Sequence, residues 1–297
     1  MRSPICHLSS AINSSPFKIA PEKEQDLKTI VDDKKIIISV VSEPGFNIRV
    51  RKNESNNSHE IVLTVASLEY IWAFSNFFWV FTQEYSKSQK NNDEHFDLTG
   101  KKRLKESDEL LKWARKNLQT TGCESWPKKC PKPEAYLQGS EDSQVASEIF
   151  LCAIAWILHH EISHVVLQHP LVTTAFSTQE EREADSHATK WILGNLYESA
   201  PELKKRALGI ATAVLCIQSL EVENYFCLQN THPAAYERIY SNISCYPVGN
   251  EELIEALCTV MLQYLFHGKN INVNLDGESF SSILGDLLCD ISRLTSN

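Results

Sequence analysis

Between Val145 and Leu167 the chain reads VASEIFLCAIAWILHHEISHVVL, a long apolar run interrupted by histidines and glutamates. Asp142 or Ser143 can N-cap it and Pro170 ends it, so the spacing predicts one long helix. Within that helix His160-Glu161-Ile162-Ser163-His164 is an H-E-x-x-H motif. Four residues make just over one turn, so both imidazoles leave the same face and can grip one ion. Glu161 lies ~100° further round the helix, placed to take a proton from water at that ion without being a ligand. The motif arises by chance in about one chain in a hundred of this length. Two histidines and a glutamate inside an apolar helix would, however, be costly to bury without a metal to satisfy them.

A catalytic zinc takes three protein ligands and leaves one position open, so a third ligand is needed. A metzincin would place glycine and histidine where this chain has Leu167 and Pro170, and His169 stands one place out of register. The next helix begins near Ser177, where Ser177 and Glu180 have capping-box spacing, and offers Glu180, Glu181 and Glu183. Helical phase puts Glu181 on a face with Ala184, Asp185, Ala188, Trp191 and Ile192. Glu183 falls ~160° away with His187 and Lys190, on a polar face that reads as solvated. Glu181 is therefore the expected third ligand and Glu183 the reserve, although a first-turn acid also complements the helix dipole. Asp185, one turn on, can accept the N–H of a metal-bound histidine and fix its tautomer.

The rest of the chain supplies a shell for this helix. Residues 34–66 read as strands, with KKIIISVV, NIRVRK and HEIVLTV separated by turn-forming residues that include Pro44 and Gly45. LEYIWAFSNFFWVFTQEY and RLKESDELLKWARKNLQ read as helices, as do 201–222, 250–266 and 278–294. The expected class is α+β, mainly α: a small N-terminal β-sheet packed with a helical core. Three regions are expected, at 1–120, a Pro- and Gly-rich loop at 121–143, and a helical metallopeptidase core at 144–297. Ile61 to Phe81 is long and apolar enough to suggest membrane contact, yet Glu69 and Asn76 interrupt it. An ionisable group at mid-bilayer costs at least ~2.5 kcal/mol, which favours a buried strand followed by a helix.

A formal net charge of −9 argues against nucleic acid as a partner, because phosphate binding relies on clustered Lys and Arg. Nine cysteines without a CxxC pair suggest reduced thiols, though Cys123 and Cys130 flank one loop and could bridge. The N-terminus has no apolar signal segment, and the expected location is the cytoplasm, with a peripheral position at the inner membrane as the alternative.

HHEISH, then EREADSHA, then Thr231-His232-Pro233 with Arg238-Ile239 resembles the CAAX prenyl protease and HtpX group of gluzincins. That resemblance implies zinc on His160, His164 and Glu181, catalysis by Glu161, and an outer role for Asp185. His232 would match the histidine that steadies the oxyanion, or else serve as an N-cap or surface residue. The gap between His164 and Glu181 is short for that group, and its multiple membrane spans are missing. From SPFKIAPEKEQDL through the motifs to the C-terminus the chain is more closely similar to the Lit-like phage-exclusion peptidases. Membership would imply cleavage of translation elongation factor Tu when a peptide of a phage major head protein binds it, and abortive infection as the outcome. A protein that holds zinc as a structural element and acts by binding is the reading from another class; structural sites are usually four-coordinate and closed.

Overall fold

In the computed structural model the described residues are 3–93, 96–97, 100–119, 125–135, 139–171, 176–194, 196, 200–223, 233, 235–243, 251–268 and 279–295. They form two compact units, Met1–Ala155 and Trp156–Asn297. As expected the fold is mainly α, with one small sheet.

The first unit opens with a short 3-10 turn at Pro4–Leu8 and two ten-residue helices, α1 (Ser9–Lys18) and α2 (Glu24–Asp33). Neither was expected from the sequence. Pro16 inside α1 is a residue that ordinarily argues against a helix interior. The sheet follows as β1 (Ile36–Val41), β2 (Ile48–Asn53) and β3 (Ser58–Thr64), close to the three segments read from the sequence. Its order is β1-β3-β2, with β1 parallel and β2 antiparallel to β3. The central strand is accordingly the apolar one, and Ile61 to Thr64 are buried.

Thr64 ends β3 and its hydroxyl accepts the Ser67 N–H, which starts α3 (Val65–Asn91). Ile61–Phe81 is thus a buried strand followed by a helix. Its two interruptions face α4 (Lys102–Asn117): Asn117 Nδ2 donates to Glu69 Oε2 at 2.5 Å, and the Ser107 hydroxyl bonds Asn76 Oδ1. Burial raises the Glu69 pKa, against the bonds from Ser3 and Asn117 that favour its charge.

The long apolar helix is α5 (Glu141–Val166). It starts earlier than Asp142 or Ser143, because Ser140 is the cap: its hydroxyl accepts the Ser143 N–H and its carbonyl the Gln144 N–H. Asp142 is engaged elsewhere, taking two bonds from Arg103 and one from Trp79 Nε1. Among the described helices α5 is the one long and apolar enough to cross a membrane, but most of that stretch is buried inside protein.

The division between the units falls inside α5, at Ala155 and Trp156. The second unit holds the C-terminal part of α5 with α6 (Thr178–Leu193), α7 (Pro201–Glu223), α8 (Ala235–Ile243), α9 (Glu251–Gly268) and α10 (Phe280–Thr295). Of these, α8 was not expected. Its nine residues are too few for apolar periodicity to separate a helix from other structure. The described cysteines, Cys6, Cys130, Cys152, Cys216, Cys258 and Cys289, are all unbridged. Cys123 lies outside the described residues.

Candidate metal centre

The site forms where the end of α5 meets the start of α6. Ser177 and Glu180 make a complete capping box, the Ser177 hydroxyl accepting the Glu180 N–H at 3.2 Å and Glu180 Oε2 the Ser177 N–H at 2.7 Å. This fixes where α6 begins and so which way its residues point. Glu181, Ala184, Asp185, Ala188 and Ile192 are all buried. The two alanines keep that face thin, and side chains join the helices along its length. Trp156 Nε1 donates to Thr189 Oγ1 at 3.0 Å, and the His159 ring stacks on Trp191.

At the meeting point His160 Nε2 and His164 Nε2 lie 3.1 Å apart. Glu181 Oε2 is 3.3 Å from the first and Glu181 Oε1 is 3.7 Å from the second. Donors bound at ~2.0–2.1 Å to a tetrahedral zinc stand ~3.3–3.4 Å apart. The two imidazole nitrogens, and a carboxylate with one oxygen near each of them, are therefore spaced close to the edge of a tetrahedron of that size. Both the donor types and their spacing fit a metal ion, and these three residues form the one such group among the described residues. Glu181 is 1% exposed, whereas the Glu183 side chain is 49% exposed. Of the three glutamates that the start of α6 offers, Glu181 joins the histidines. Glu161 is buried next to His160 on α5.

Both histidines are held from behind. His160 Nδ1 lies 2.8 Å from Asp185 Oδ1, as expected for an outer partner. Asp185 in turn receives two bonds from Arg238 on α8, at 2.7 and 2.6 Å, and the guanidinium lies over the Trp156 ring. His164 is stacked on Phe176, and its Nδ1 lies 2.8 Å from Nδ1 of His169. His169 Nε2 lies 3.3 Å from Glu183 Oε2. On the polar face Glu183 and Lys190 are exposed, as expected, while His187 is half-buried and lies 2.8 Å from the Ser163 hydroxyl. In the sequence His169 stands out only as a residue out of register, and Arg238 only through a resemblance. His232 lies outside the described residues.

The electrostatics suit a cation. Burial opposes charge on His160, but the carboxylates of Asp185 and Glu181 outweigh it and hold its pKa up at about 10. Burial, with His160 beside it, pushes His164 down to about 3. Burial also opposes charge on Asp185, and Arg238 with His160 brings its pKa below the usual carboxylate range.

A helical core that converges two histidines and a glutamate, with a further buried glutamate beside them, has the make-up of a hydrolase centre. The sequence profile described as Peptidase U49 matches residues 61–258, and the chain belongs to that family; it is a peptidase. A protein of Escherichia coli (strain K12) described as "Cell death peptidase" is 99% identical over 297 residues, covering 100% of each chain. No solved structure matches.

Proposed function

We propose that this peptidase is a zinc-dependent endopeptidase in which His160, His164 and Glu181 hold the ion and Glu161 is the general base. The observation that carries this reading is the convergence of two imidazole nitrogens 3.1 Å apart with a carboxylate whose oxygens lie 3.3 Å from one and 3.7 Å from the other. Bound there, zinc would supply a Lewis acid that polarises the scissile carbonyl and brings the pKa of water to near 7. Glu161 accepts the proton from the attacking water and delivers it to the departing amine, so one peptide bond becomes a carboxylate and an amine. Asp185, backed by Arg238, holds His160 with its proton on Nδ1 and its Nε2 lone pair towards the ion. His232, by its place in the Thr231-His232-Pro233 motif, donates to the oxygen that gains charge as the carbonyl is attacked.

The substrate we propose is translation elongation factor Tu, cleaved when a peptide from a phage major head protein is bound to it, in the cytoplasm. Its support is the similarity to phage-exclusion peptidases and the description of the 99% identical relative as a cell death peptidase. Stopping translation kills the infected cell before the phage matures. Such an enzyme must be quiet until infection. The three donor positions are set by buried helix packing, so restraint lies in substrate presentation, and ~4 kcal/mol of added binding energy changes the rate about a thousandfold.

The test measures zinc content and cleavage of purified elongation factor Tu together, with and without the phage peptide. One zinc per chain and cleavage only with the peptide are expected. Cleavage by protein stripped of metal would sink the zinc reading, and an uncut factor in the presence of peptide would sink the substrate. Calorimetry places the trigger: the peptide should bind the factor with the peptidase absent, and tight binding to the isolated peptidase alone would point to a switch within this chain instead.

A further inference from the structure

We infer that His169, with Glu183 behind it, is a positioning residue for the metal ligand His164, delivered by the way α5 stops. The inference rests on the zinc reading above and extends it to residues outside the ligand set.

The end of α5 has a Schellman stop. Gln168 takes φ +60°, the left-handed conformation, and its N–H bonds the Val165 carbonyl at 3.3 Å. The His169 N–H returns to the His164 carbonyl at 3.0 Å. In such a stop the residue after the left-handed one folds back over the residue five places earlier, usually as an apolar contact. Here both residues are histidines. Their rings meet with the two Nδ1 atoms 2.8 Å apart, His164 is fully buried, and His169 is 8% exposed.

Ring tautomers along this chain are determined by its two ends. When His164 presents a bare Nε2 to an ion, its proton sits on Nδ1 and must be donated. His169 Nδ1 then accepts, so the His169 proton sits on Nε2, facing Glu183 Oε2 at 3.3 Å. A carboxylate ends the line, and Gln179 Nε2 holds its other oxygen at 2.8 Å. The arrangement parallels Asp185 behind His160, with one imidazole inserted between ligand and carboxylate. Glu183, the reserve ligand of the sequence reading, acquires an outer place in the same centre.

The test uses the full chain and measures zinc affinity by competition with a chromogenic chelator, beside far-UV circular dichroism and melting of the metal-free protein. His169→Leu keeps the apolar contact of the stop but removes the acceptor; it should weaken zinc ~10–100-fold, the usual effect of losing an outer partner, while the helix content holds. His169→Asn places an amide oxygen near the position of Nδ1 and should restore affinity to within a few-fold. Glu183→Ala, acting through His169, should weaken zinc about three- to tenfold, and adding it to His169→Leu should cost nothing further. Wild-type affinity in His169→Leu, failed rescue by Asn, or additive losses in the double variant would each overturn the inference. A wild-type chain that binds no zinc would overturn the zinc reading itself, a result that none of these variants can imitate.

Discussion

Glu161 and the α6 residues Glu181 and Glu183 are chemically alike and differ only in where two helices point them. Glu161→Gln should keep zinc but abolish hydrolysis, because general base catalysis alone contributes ~10²–10⁴-fold and the attacking water also loses its orienting partner. Retained cleavage by that variant would remove Glu161 from the mechanism. On the proposed reading Glu181→Ala takes away one of three ligands and should lose zinc and activity together, whereas Glu183→Ala should lose far less of either. Metal analysis giving the reverse order would reassign the third ligand. At this scale the sequence was highly legible: H-E-x-x-H sets the helical spacing by itself, and the period of 3.6 selects Glu181 from its neighbours. What it could not display was His169. Its contact with His164 depends on a left-handed residue at Gln168, a position where glycine or asparagine would have given the signal.

Elements were legible in proportion to their length and regularity. The three strands and the helices at α3 to α7 carry long periodic patterns, while α1 holds an internal proline and α8 is only nine residues long. The cap of α5 differs from the expected one for a physical reason: Asp142 is a good capping residue, but its carboxylate is engaged by Arg103 and Trp79, and the Ser140 hydroxyl caps the helix instead. The stop of α5 allows a prediction of its own. Gln168 sits at φ +60°, where any side chain with a Cβ is strained. Gln168→Gly should therefore stabilise the metal-free protein by up to about 1 kcal/mol, less the flexibility glycine adds to the unfolded chain, and leave zinc affinity unchanged. Loss of zinc affinity in this variant would mean that the glutamine side chain, and not the turn alone, sets the position of His169.

Across the whole molecule, stability and chemistry make different demands on buried charge. Glu69 is 3% exposed between α3 and α4, and its raised pKa means that the folded chain retains a proton which the unfolded chain, with a carboxyl pKa of ~4.3, has already lost. Its favourable contribution is complete below ~4.3 and declines as pH rises through the folded value. Glu69→Gln keeps an oxygen for Asn117 and has no proton to lose, so its stability relative to wild type should grow from ~pH 4 upward and then level off. A difference in melting temperature that stays constant from pH 4 to 8 would show that Glu69 titrates normally.

The distribution of the centre along the chain also sets when it can exist. His160 and His164 lie on α5, Glu181 on α6, and the Arg238 that backs His160 through Asp185 on α8. During synthesis the two histidines leave the ribosome before the glutamate that completes the proposed ligand set, and well before the arginine that backs it. A partly made chain therefore carries the signature motif without a finished site, and for the substrate proposed above this order means that no working centre exists while the translation machinery is still building it.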